Sequence, residues 1–152
     1  MLELKSEFLC EVVGDLGDHQ IIGPSSHGTR VIIPVIGGTV KGPKVNGEVL
    51  SFGADWILLR PDGMFELDVR ITVRTDDNEL IYVYYRGLSN VSPEIRERIQ
   101  KGEDVDPSEY YFRTTPIFET GSEQYSWLNQ IICVGVGKSE LNKVRYNIYQ
   151  IL

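Results

Sequence analysis

The 152-residue chain is poor in the residues from which disulfide frameworks and metal sites are built. Its only two cysteines, Cys10 and Cys133, lie far apart in apolar runs, which indicates buried thiols rather than a disulfide. The two histidines, His19 and His27, are isolated in glycine-containing segments, and neither cysteine has metal-site spacing, so no metal is expected. The fold must therefore depend on its hydrophobic core.

Positive charge is also scarce. The chain has 15 Lys and Arg against 22 Asp and Glu, a formal net charge of -7. Because nucleic-acid affinity comes mainly from cations that neutralise phosphates, no nucleic-acid partner is expected. No run approaches the roughly 20 apolar residues that span a bilayer. The start, Met1 to Val13, carries Glu3, Glu7 and Glu11 where a secretory signal needs an uncharged core, so we expect a cytoplasmic protein without a membrane partner.

The short motifs of common enzyme classes are missing as well. The chain has no Gly-x-Ser-x-Gly elbow, phosphate loop, dinucleotide fingerprint or His-Glu-x-x-His pair. The stretches Gly37-Gly38-Thr39 and Lys41-Gly42-Pro43 are glycine-rich but open no helix, which favours a structural loop over a phosphate cradle. Hydrolase, kinase and dehydrogenase functions are not indicated, and no cofactor is expected.

What the sequence does contain is alternation. Apolar residues recur at every second position, and Gly, Pro, Asp and Asn separate the runs as in a β-meander. We predict a single domain over residues 1–152, an all-β antiparallel barrel of about eight strands, since closure removes exposed sheet edges. The predicted strands are 4–13, 29–35, 54–60, 64–74, 79–86, 110–118, 126–136 and 144–151.

One helix interrupts the alternation. Ser92 can cap its start, Pro93 suits the first position, Glu94–Lys101 contains good helix formers, and Gly102 can end it. We expect a short surface element or lid.

The central meander has two unlike faces. A type I turn with a glycine bulge pairs Arg60 with Met64, and a similar turn at Thr75–Glu79 places Arg70 opposite Tyr84. One face is apolar except for one acid: Asp55, Ile57, Leu59, Phe65, Leu67, Val69, Ile71, Val73, Ile81, Val83 and Tyr85. The other holds Trp56, Arg60, Asp68, Arg70, Tyr82, Tyr84 and Arg86. We expect the apolar face to point inward, but a one-residue slip in either turn exchanges the faces.

Asp55 on the apolar face needs a chemical explanation. Burial would raise its pKa and a nearby arginine would lower it, and either shift is typical of acid/base sites. The structural alternative is that Asp55 bonds backbone amides of the Phe52-Gly53 loop.

If the faces are exchanged, the polar face becomes the lining of a ligand cavity. Trp56, Asp68, Arg70 and Tyr84 would then bind a polar or anionic ligand. The alternative for the same residues is an outward salt-bridge ladder or an oligomer contact.

A second polar region follows later in the chain. In an extended Tyr110–Thr120 segment, Tyr111, Arg113, Thr115 and Glu119 share one side, and Trp127 aligns with Asn129 on the next strand. Glu119 and Asp55 could form a carboxylate pair if the barrel brings them together. Pro116 indicates an edge or a bulge.

Several segments in order carry a family resemblance. They are Gly37-Gly38-Thr39, Gly53-Ala54-Asp55-Trp56, Arg60 with Asp62-Gly63, Leu67-Asp68-Val69-Arg70, Thr75-Asp76-Asp77, Tyr111-Phe112-Arg113-Thr114, Phe118-Glu119-Thr120 and Tyr125-Ser126-Trp127-Leu128-Asn129. This set, which spans nearly the whole chain, resembles a family known only as domain of unknown function 3237. The resemblance implies a calycin-like barrel, similar in shape to lipocalins or allene oxide cyclase, and supplies no agreed activity.

The resemblance also implies candidate site residues, namely Asp55, Trp56, Asp68, Arg70, Arg113, Glu119, Trp127 and Asn129. Where the family pattern reads Asp-Ala-Arg-Tyr, this chain has Asp68-Val69-Arg70-Ile71, so a role for that tyrosine hydroxyl does not carry over.

Three functions are compatible with these features. The first is a small-molecule-binding barrel with a largely apolar organic ligand, for which the ligand-binding candidates are Trp56, Asp68, Tyr84, Arg113, Trp127 and Asn129. The second is a cofactor-free isomerase, cyclase or lyase that uses Asp55 or Glu119 as acid/base and Arg70 or Arg113 to stabilise negative charge. The third is a homo-oligomeric interaction module without a small ligand.

Overall fold

The computed structural model describes residues 1–152. Ten strands form one antiparallel sheet: β1 (Ser6–Leu16), β2 (Gln20–Ser25), β3 (Gly28–Lys41), β4 (Gly47–Val49), β5 (Gly53–Leu59), β6 (Phe65–Thr75), β7 (Leu80–Asn90), β8 (Tyr111–Glu119), β9 (Ile132–Glu140) and β10 (Lys143–Ile151). One α-helix, α1, covers Pro93–Gln100, and two 3-10 helices cover Pro107–Glu109 and Ser126–Gln130. No helix is long and apolar enough to span a membrane.

The sheet closes into a barrel through the pairing of β1 with β3. Around the ring, β1 is followed by β10, β9, β8, β7 and β6, and β3 then returns to β1. Between β6 and β3, the short β4 and β5 share one position, each pairing with both neighbours. The ring therefore has eight strand positions, which confirms the predicted eight-strand antiparallel barrel with one short helix.

The predicted elements differ from the structure in four places. The short strands β2 and β4 were not predicted, and Ser126–Gln130 is a 3-10 helix where a strand was expected. Gly37-Gly38-Thr39 lies inside β3 and pairs with β1, so the prediction of a loop there is wrong. Gly38 has φ 146°, and a Cβ on it would lie 1.9 Å from the Val13 carbonyl oxygen, so glycine permits the close approach of β1 and β3.

The predicted turns set the register of the central meander. Arg60 N donates to Met64 O at 2.9 Å, Asn78 adopts φ 68°, and Arg70 lies opposite Tyr84. The apolar face points inward: Val69 and Ile81 are each 1% exposed. The alternative with exchanged faces is therefore wrong.

Aromatic rings fill the middle of the barrel. Tyr146 meets Tyr85 and Phe112 edge to face, with ring centroids 5.2 and 5.5 Å apart. Glycines on β9 make room for them, since a Cβ on Gly137 would lie 2.5 Å from the Phe112 ring. A void of about 20 Å³ remains beside Tyr85 and Tyr146. It is far smaller than a pocket for an organic molecule, which needs at least about 300 Å³.

Both cysteines belong to the core, as predicted. Cys10 and Cys133 are buried and unpaired. Burial raises the pKa of Cys10 to about 12, with a smaller contribution from Cys133, and raises the pKa of Cys133 to about 11. Both thiols therefore stay protonated at neutral pH and act as apolar packing groups.

Helix α1 lies over one end of the barrel. Its predicted start is confirmed, because Ser92 Oγ accepts a hydrogen bond from Ile95 N at 3.2 Å. Ile99 is buried in the main core cluster, and the Arg96 guanidinium lies 5.1 Å from the centre of the Phe65 ring. Phe65 begins β6 and pairs with the last residue of β5, so the helix covers the end of the barrel where β5 finishes.

Candidate functional site

The pairing between β5 and β6 is interrupted near the middle of β5. Asp55 pairs with Val69, and pairing resumes at Leu58 with Glu66. Two residues on each strand, 56–57 and 67–68, have no ladder partner between these points. Backbone polar groups exposed by such a gap must find other partners, because leaving them unpaired inside the barrel wall is costly.

Two charged side chains occupy this gap. The Asp55 carboxylate accepts a hydrogen bond from Asp68 N at 3.1 Å through Oδ1. Arg30 reaches across from β3, and its Nη1 donates to the Trp56 carbonyl of β5 at 2.9 Å. The carboxylate and the guanidinium thus replace the missing ladder bonds. The predicted structural role of Asp55 is close to this arrangement, although the amide it binds is on β6 and not in the Phe52-Gly53 loop.

Asp55 is nevertheless poorly solvated for a carboxylate. It is 9% exposed, and the bond from Asp68 is the only hydrogen bond its carboxyl makes with the protein. Burial raises the pKa of Asp55 to about 7; the Asp68 carboxylate adds to this, while the Asp68 amide and Arg30 oppose it. Protonated and ionised forms therefore coexist at neutral pH, as a proton-transfer group requires.

Two tyrosines inside the barrel share the electrostatic environment of Asp55. Tyr85 lies opposite Val69, which in turn lies opposite Asp55, and Tyr146 contacts Tyr85 from β10. Burial raises the pKa of each phenol, and the negative charge of Asp55 raises both further. Both hydroxyls therefore remain protonated donors. We call Asp55, Tyr85 and Tyr146 the acid–tyrosine cluster.

Between this cluster and the end of the barrel that α1 covers, the inward side chains are less buried than in the core. Ile33 lies directly opposite Asp55, and the following inward positions pair Val31 with Ile57 and Leu59 with Phe65. All five side chains are half-buried, whereas the residues beyond the cluster in the other direction are fully buried. These five residues form an apolar rim. Asp55 thus lies where the packed core meets the apolar rim.

Glu119, the other predicted acid, is on the opposite side of the barrel wall. It is the last residue of β8, pairs with Tyr82 and is exposed, because it alternates with the buried Phe118. Asp55 points inward, so the structure does not bring the two carboxylates together.

Arg70 and its neighbours also lie on the outer wall. The Arg70 guanidinium is 5.8 Å from the Trp56 ring centre and 5.0 Å from that of Tyr84, and its Nη1 is 3.5 Å from Asp68 Oδ1. This is the outward arrangement of charged and aromatic side chains that the sequence left open. None of these four side chains lines the interior.

The remaining predicted residues are dispersed. Arg113 packs over the Tyr111 ring at 5.2 Å on the outer face of β8, and half-buried Trp127 has the Lys44 ammonium 5.6 Å from its ring centre. Asn129 bonds the backbone of Thr120, accepting from its N at 2.8 Å and donating to its O at 2.9 Å. These contacts hold loops and surfaces in place, and they form no common site.

Asn129 therefore has a structural role that can be tested. We expect Asn129→Ala to lower the free energy of unfolding by about 1 kcal/mol, since both backbone groups of Thr120 lose their partner to water. Gln130→Ala, at an exposed neighbour, is the matched control and should leave the urea midpoint unchanged. Equal midpoints for the two variants would contradict this role.

Sequence reasoning missed Tyr146 and Arg30. Tyr146 alternates with Val144 and Ile148 on the inward face of β10, so its direction was readable, but its approach to Tyr85 depends on ring closure. The contact of Arg30 with Trp56 leaves no local signal, because it depends on the broken ladder. No group of three or more His, Cys, Asp or Glu side chains is arranged to hold a metal ion.

Comparison with known proteins places this barrel among relatives of the same shape. The UPF0311 protein RPA1785 of Rhodopseudomonas palustris is 37% identical over 149 residues, 98% of this chain and 97% of that protein. The crystal structure of RPA1785 matches this chain with a TM-score of 0.93, and the match covers 100% of both chains. A β-barrel-like protein of Acinetobacter baumannii is 37% identical with a TM-score of 0.86, covering 100% of this chain and 98% of that one.

A more distant structure shares the fold alone. It is described as an enzyme from Penicillium herquei and is 23% identical, with a TM-score of 0.73 over 100% of this chain and 97% of that one. The sequence model of the protein family of unknown function DUF3237 matches residues 4–151. With this match and the similarity to RPA1785, the chain belongs to the DUF3237 family.

Proposed function

We propose that this protein is a cofactor-free acid–base catalyst, an isomerase, cyclase or lyase, that acts on a small and largely apolar organic molecule. The observation that carries the proposal is the buried Asp55 with a pKa of about 7, which borders the apolar rim and faces the same interior as the protonated Tyr85 and Tyr146. Strongly shifted carboxyl groups beside an apolar surface are typical of proton-transfer sites.

The cluster supplies both halves of a proton transfer. Ionised Asp55 takes a proton from a carbon or oxygen of the substrate and becomes neutral, which the poorly solvated site favours. The Tyr85 hydroxyl, which accepts a hydrogen bond from Tyr146, donates toward the negative charge that develops on the substrate. Asp55 then returns the proton to another position, so the protein ends the cycle unchanged and no external oxidant or reductant is needed.

The packing limits where the substrate binds. The middle of the barrel has a void of only about 20 Å³, so a ligand there would have to displace core side chains. The apolar rim is half-buried and contains no charged side chain, which favours a neutral ligand under helix α1. Binding at the rim brings such a molecule next to Asp55.

The Penicillium herquei relative is consistent with this proposal in one respect. Its description as an enzyme indicates that a barrel of this shape can carry catalysis. At 23% identity it says nothing about which substrate or residues this chain uses.

Hydrogen–deuterium exchange into candidate compounds tests the proposal without knowledge of the final product. A panel of neutral alicyclic and aromatic ketones, alcohols and alkenes is incubated with the protein in D2O near pH 7, and deuterium uptake at carbon is followed by NMR. We expect the wild type to accelerate exchange in at least one compound, and Asp55→Asn to lower that rate by at least about 100-fold. Glu119→Gln, at the other predicted carboxylate, should match the wild type.

Equal exchange rates for the wild type and Asp55→Asn would refute the catalytic role of Asp55. Binding of a panel compound with no exchange, and with an affinity that Asp55→Asn hardly changes, would instead identify a small-molecule-binding protein. Neither binding nor exchange by any compound that fits the rim would overturn both functions.

A further inference from the structure

Arg30 and Asp55 approach the gap in the β5–β6 ladder from opposite sides. Asp55 points into the barrel, whereas Arg30 precedes the inward Val31 on β3, so its side chain starts on the outer face. The Arg30 guanidinium still reaches the backbone of β5, where its Nη1 donates to the carbonyl of Trp56 at 2.9 Å. Trp56 directly follows Asp55 in the chain. The backbone contact therefore fixes the guanidinium beside the acid.

The positive charge of Arg30 is not neutralised by an ion pair. Other arginines lie within 4.0 Å of a surface carboxylate oxygen, namely Arg60, Arg70, Arg74, Arg98 and Arg145. Arg30 has no such partner, and it is half-buried. Because solvent and salt screen a half-buried charge less than an exposed one, the guanidinium can act on the nearby carboxyl of Asp55.

The groups that face Asp55 from other strands carry no further positive charge. Asp68 on β6 donates its amide to Asp55 Oδ1 at 3.1 Å, while its carboxylate adds negative charge. Tyr85 on β7 and Tyr146 on β10 stay neutral, because burial raises the pKa of both phenols. Burial raises the pKa of Asp55 to about 7, and Arg30 is the cation that opposes this rise.

We propose that Arg30 is a positioning residue for Asp55, which fixes the backbone of β5 beside the acid and keeps its carboxyl partly ionised at neutral pH. The inference rests on the proposed function, in which ionised Asp55 takes a proton from the substrate. Without the cation, burial leaves Asp55 largely protonated and unable to act as a base near pH 7. Arg30 itself approaches the gap from outside the barrel and acts through Asp55.

The titration of Asp55, followed by NMR of its 13C-labelled carboxyl carbon without substrate, tests this role. The signal is assigned by its absence from Asp55→Asn, and we expect a wild-type midpoint at about pH 7. Arg30→Gln keeps a donor for the Trp56 carbonyl but removes the charge, so it should raise the midpoint by about 0.5 or more. Arg30→Lys keeps the charge and should stay within about 0.3 of the wild type.

Arg113→Gln is the matched control. Arg113 is also half-buried, and its Nη1 also donates to a backbone carbonyl at 2.9 Å, but it lies on β8 and binds Phe112. Its replacement should leave the Asp55 midpoint unchanged. Circular dichroism confirms that each variant is folded. Arg30→Met, which keeps an apolar stem without charge or donor, takes the place of Arg30→Gln if the latter fails to fold.

An unchanged midpoint in a folded neutral variant would overturn the proposal, since Arg30 would then act only through its bond to Trp56. An equal shift in Arg30→Lys or in Arg113→Gln would overturn it as well. A shift confined to the neutral variants, with no deuterium exchange in any panel compound, would support the action of Arg30 on Asp55 and count against the proposed function. Exchange that Arg30→Gln slows about threefold at pH 6, and hardly changes at pH 9, would support both.

Discussion

Asp55→Asn is expected to make the protein more stable than the wild type above pH 7. In the unfolded chain Asp55 ionises near its ordinary pKa of 3.8, whereas burial raises its pKa to about 7 in the folded state. Between these values the folded state holds a proton that the unfolded state has lost, so the stability contributed by Asp55 falls as pH rises from about 4 to about 7. The difference of roughly three pKa units corresponds to a loss of about 4 kcal/mol.

Asparagine keeps the acceptor that binds the Asp68 amide and never ionises. The variant therefore lacks this loss, and its free energy of unfolding should exceed that of the wild type by up to several kcal/mol at pH 8, with little difference at pH 4. Urea unfolding of both proteins at a series of pH values measures this difference directly.

Glu119→Gln provides the control for a carboxylate outside the barrel, and its stability should follow the wild-type pH dependence. Parallel curves for the wild type and Asp55→Asn would show that Asp55 has an ordinary pKa. Asp55 would then be ionised throughout the neutral range and unsuited to the proposed proton transfer. A gain in stability together with a loss of proton exchange is the pattern expected of a group retained for chemistry at the expense of folding.

Gly38→Ala is expected to destabilise the barrel by about 3 kcal/mol or more. Gly38 has φ 146°, and a Cβ would lie 1.9 Å from the Val13 carbonyl oxygen, a distance at which backbone must move. Two costs add in this variant: the backbone strain of alanine at a positive φ, and the steric clash of its Cβ with the Val13 carbonyl. Each is of the order of 1–3 kcal/mol. The contact lies on the β1–β3 seam that closes the ring, so the shift opens the barrel.

Gly37→Ala distinguishes this explanation from a general intolerance of substitutions in β3. The nearest atom to a Cβ on Gly37 is Asp15 Oδ2 at 3.7 Å, an ordinary contact, and Gly37 has no positive φ. We expect this variant to unfold within about 1 kcal/mol of the wild type. Similar losses in both variants, measured by urea denaturation, would refute the role of the seam.

The sequence predicted strand register correctly where a turn is specified by a few adjacent residues. The Arg60–Met64 and Thr75–Glu79 turns fix the register of β5, β6 and β7, and register decides which face of each strand is buried. The inward position of Asp55 and the outward position of Arg70 follow from this. The start of helix α1 was predictable for the same reason, since Ser92 and Pro93 are adjacent to the turn they stabilise.

Features that depend on ring closure could not be predicted. The carboxylate pair of Glu119 and Asp55 was conditional on the barrel bringing the two acids together, and in the closed ring Asp55 points inward from β5 while Glu119 is exposed at the end of β8. The contact between Tyr85 and Tyr146 joins strands far apart in sequence. Tyr125 and Leu128 are both buried and lie three residues apart, a spacing that a 3-10 turn brings to one face, so Ser126–Gln130 is helical where alternation had predicted a strand.

The filled middle of the barrel has a consequence for how such a protein can diversify. Phe112 packs against Gly137 and the Tyr85–Tyr146 pair in the centre, while the apolar rim is half-buried and, of its five residues, only Ile57 packs against the main core cluster. A change of size or polarity at Ile33 or Leu59 is therefore expected to alter the surface beside Asp55 without opening a void in the core. Under the proposed function, ligand preference and fold integrity reside in different layers of the same barrel, so selection can act on the one while leaving the other intact.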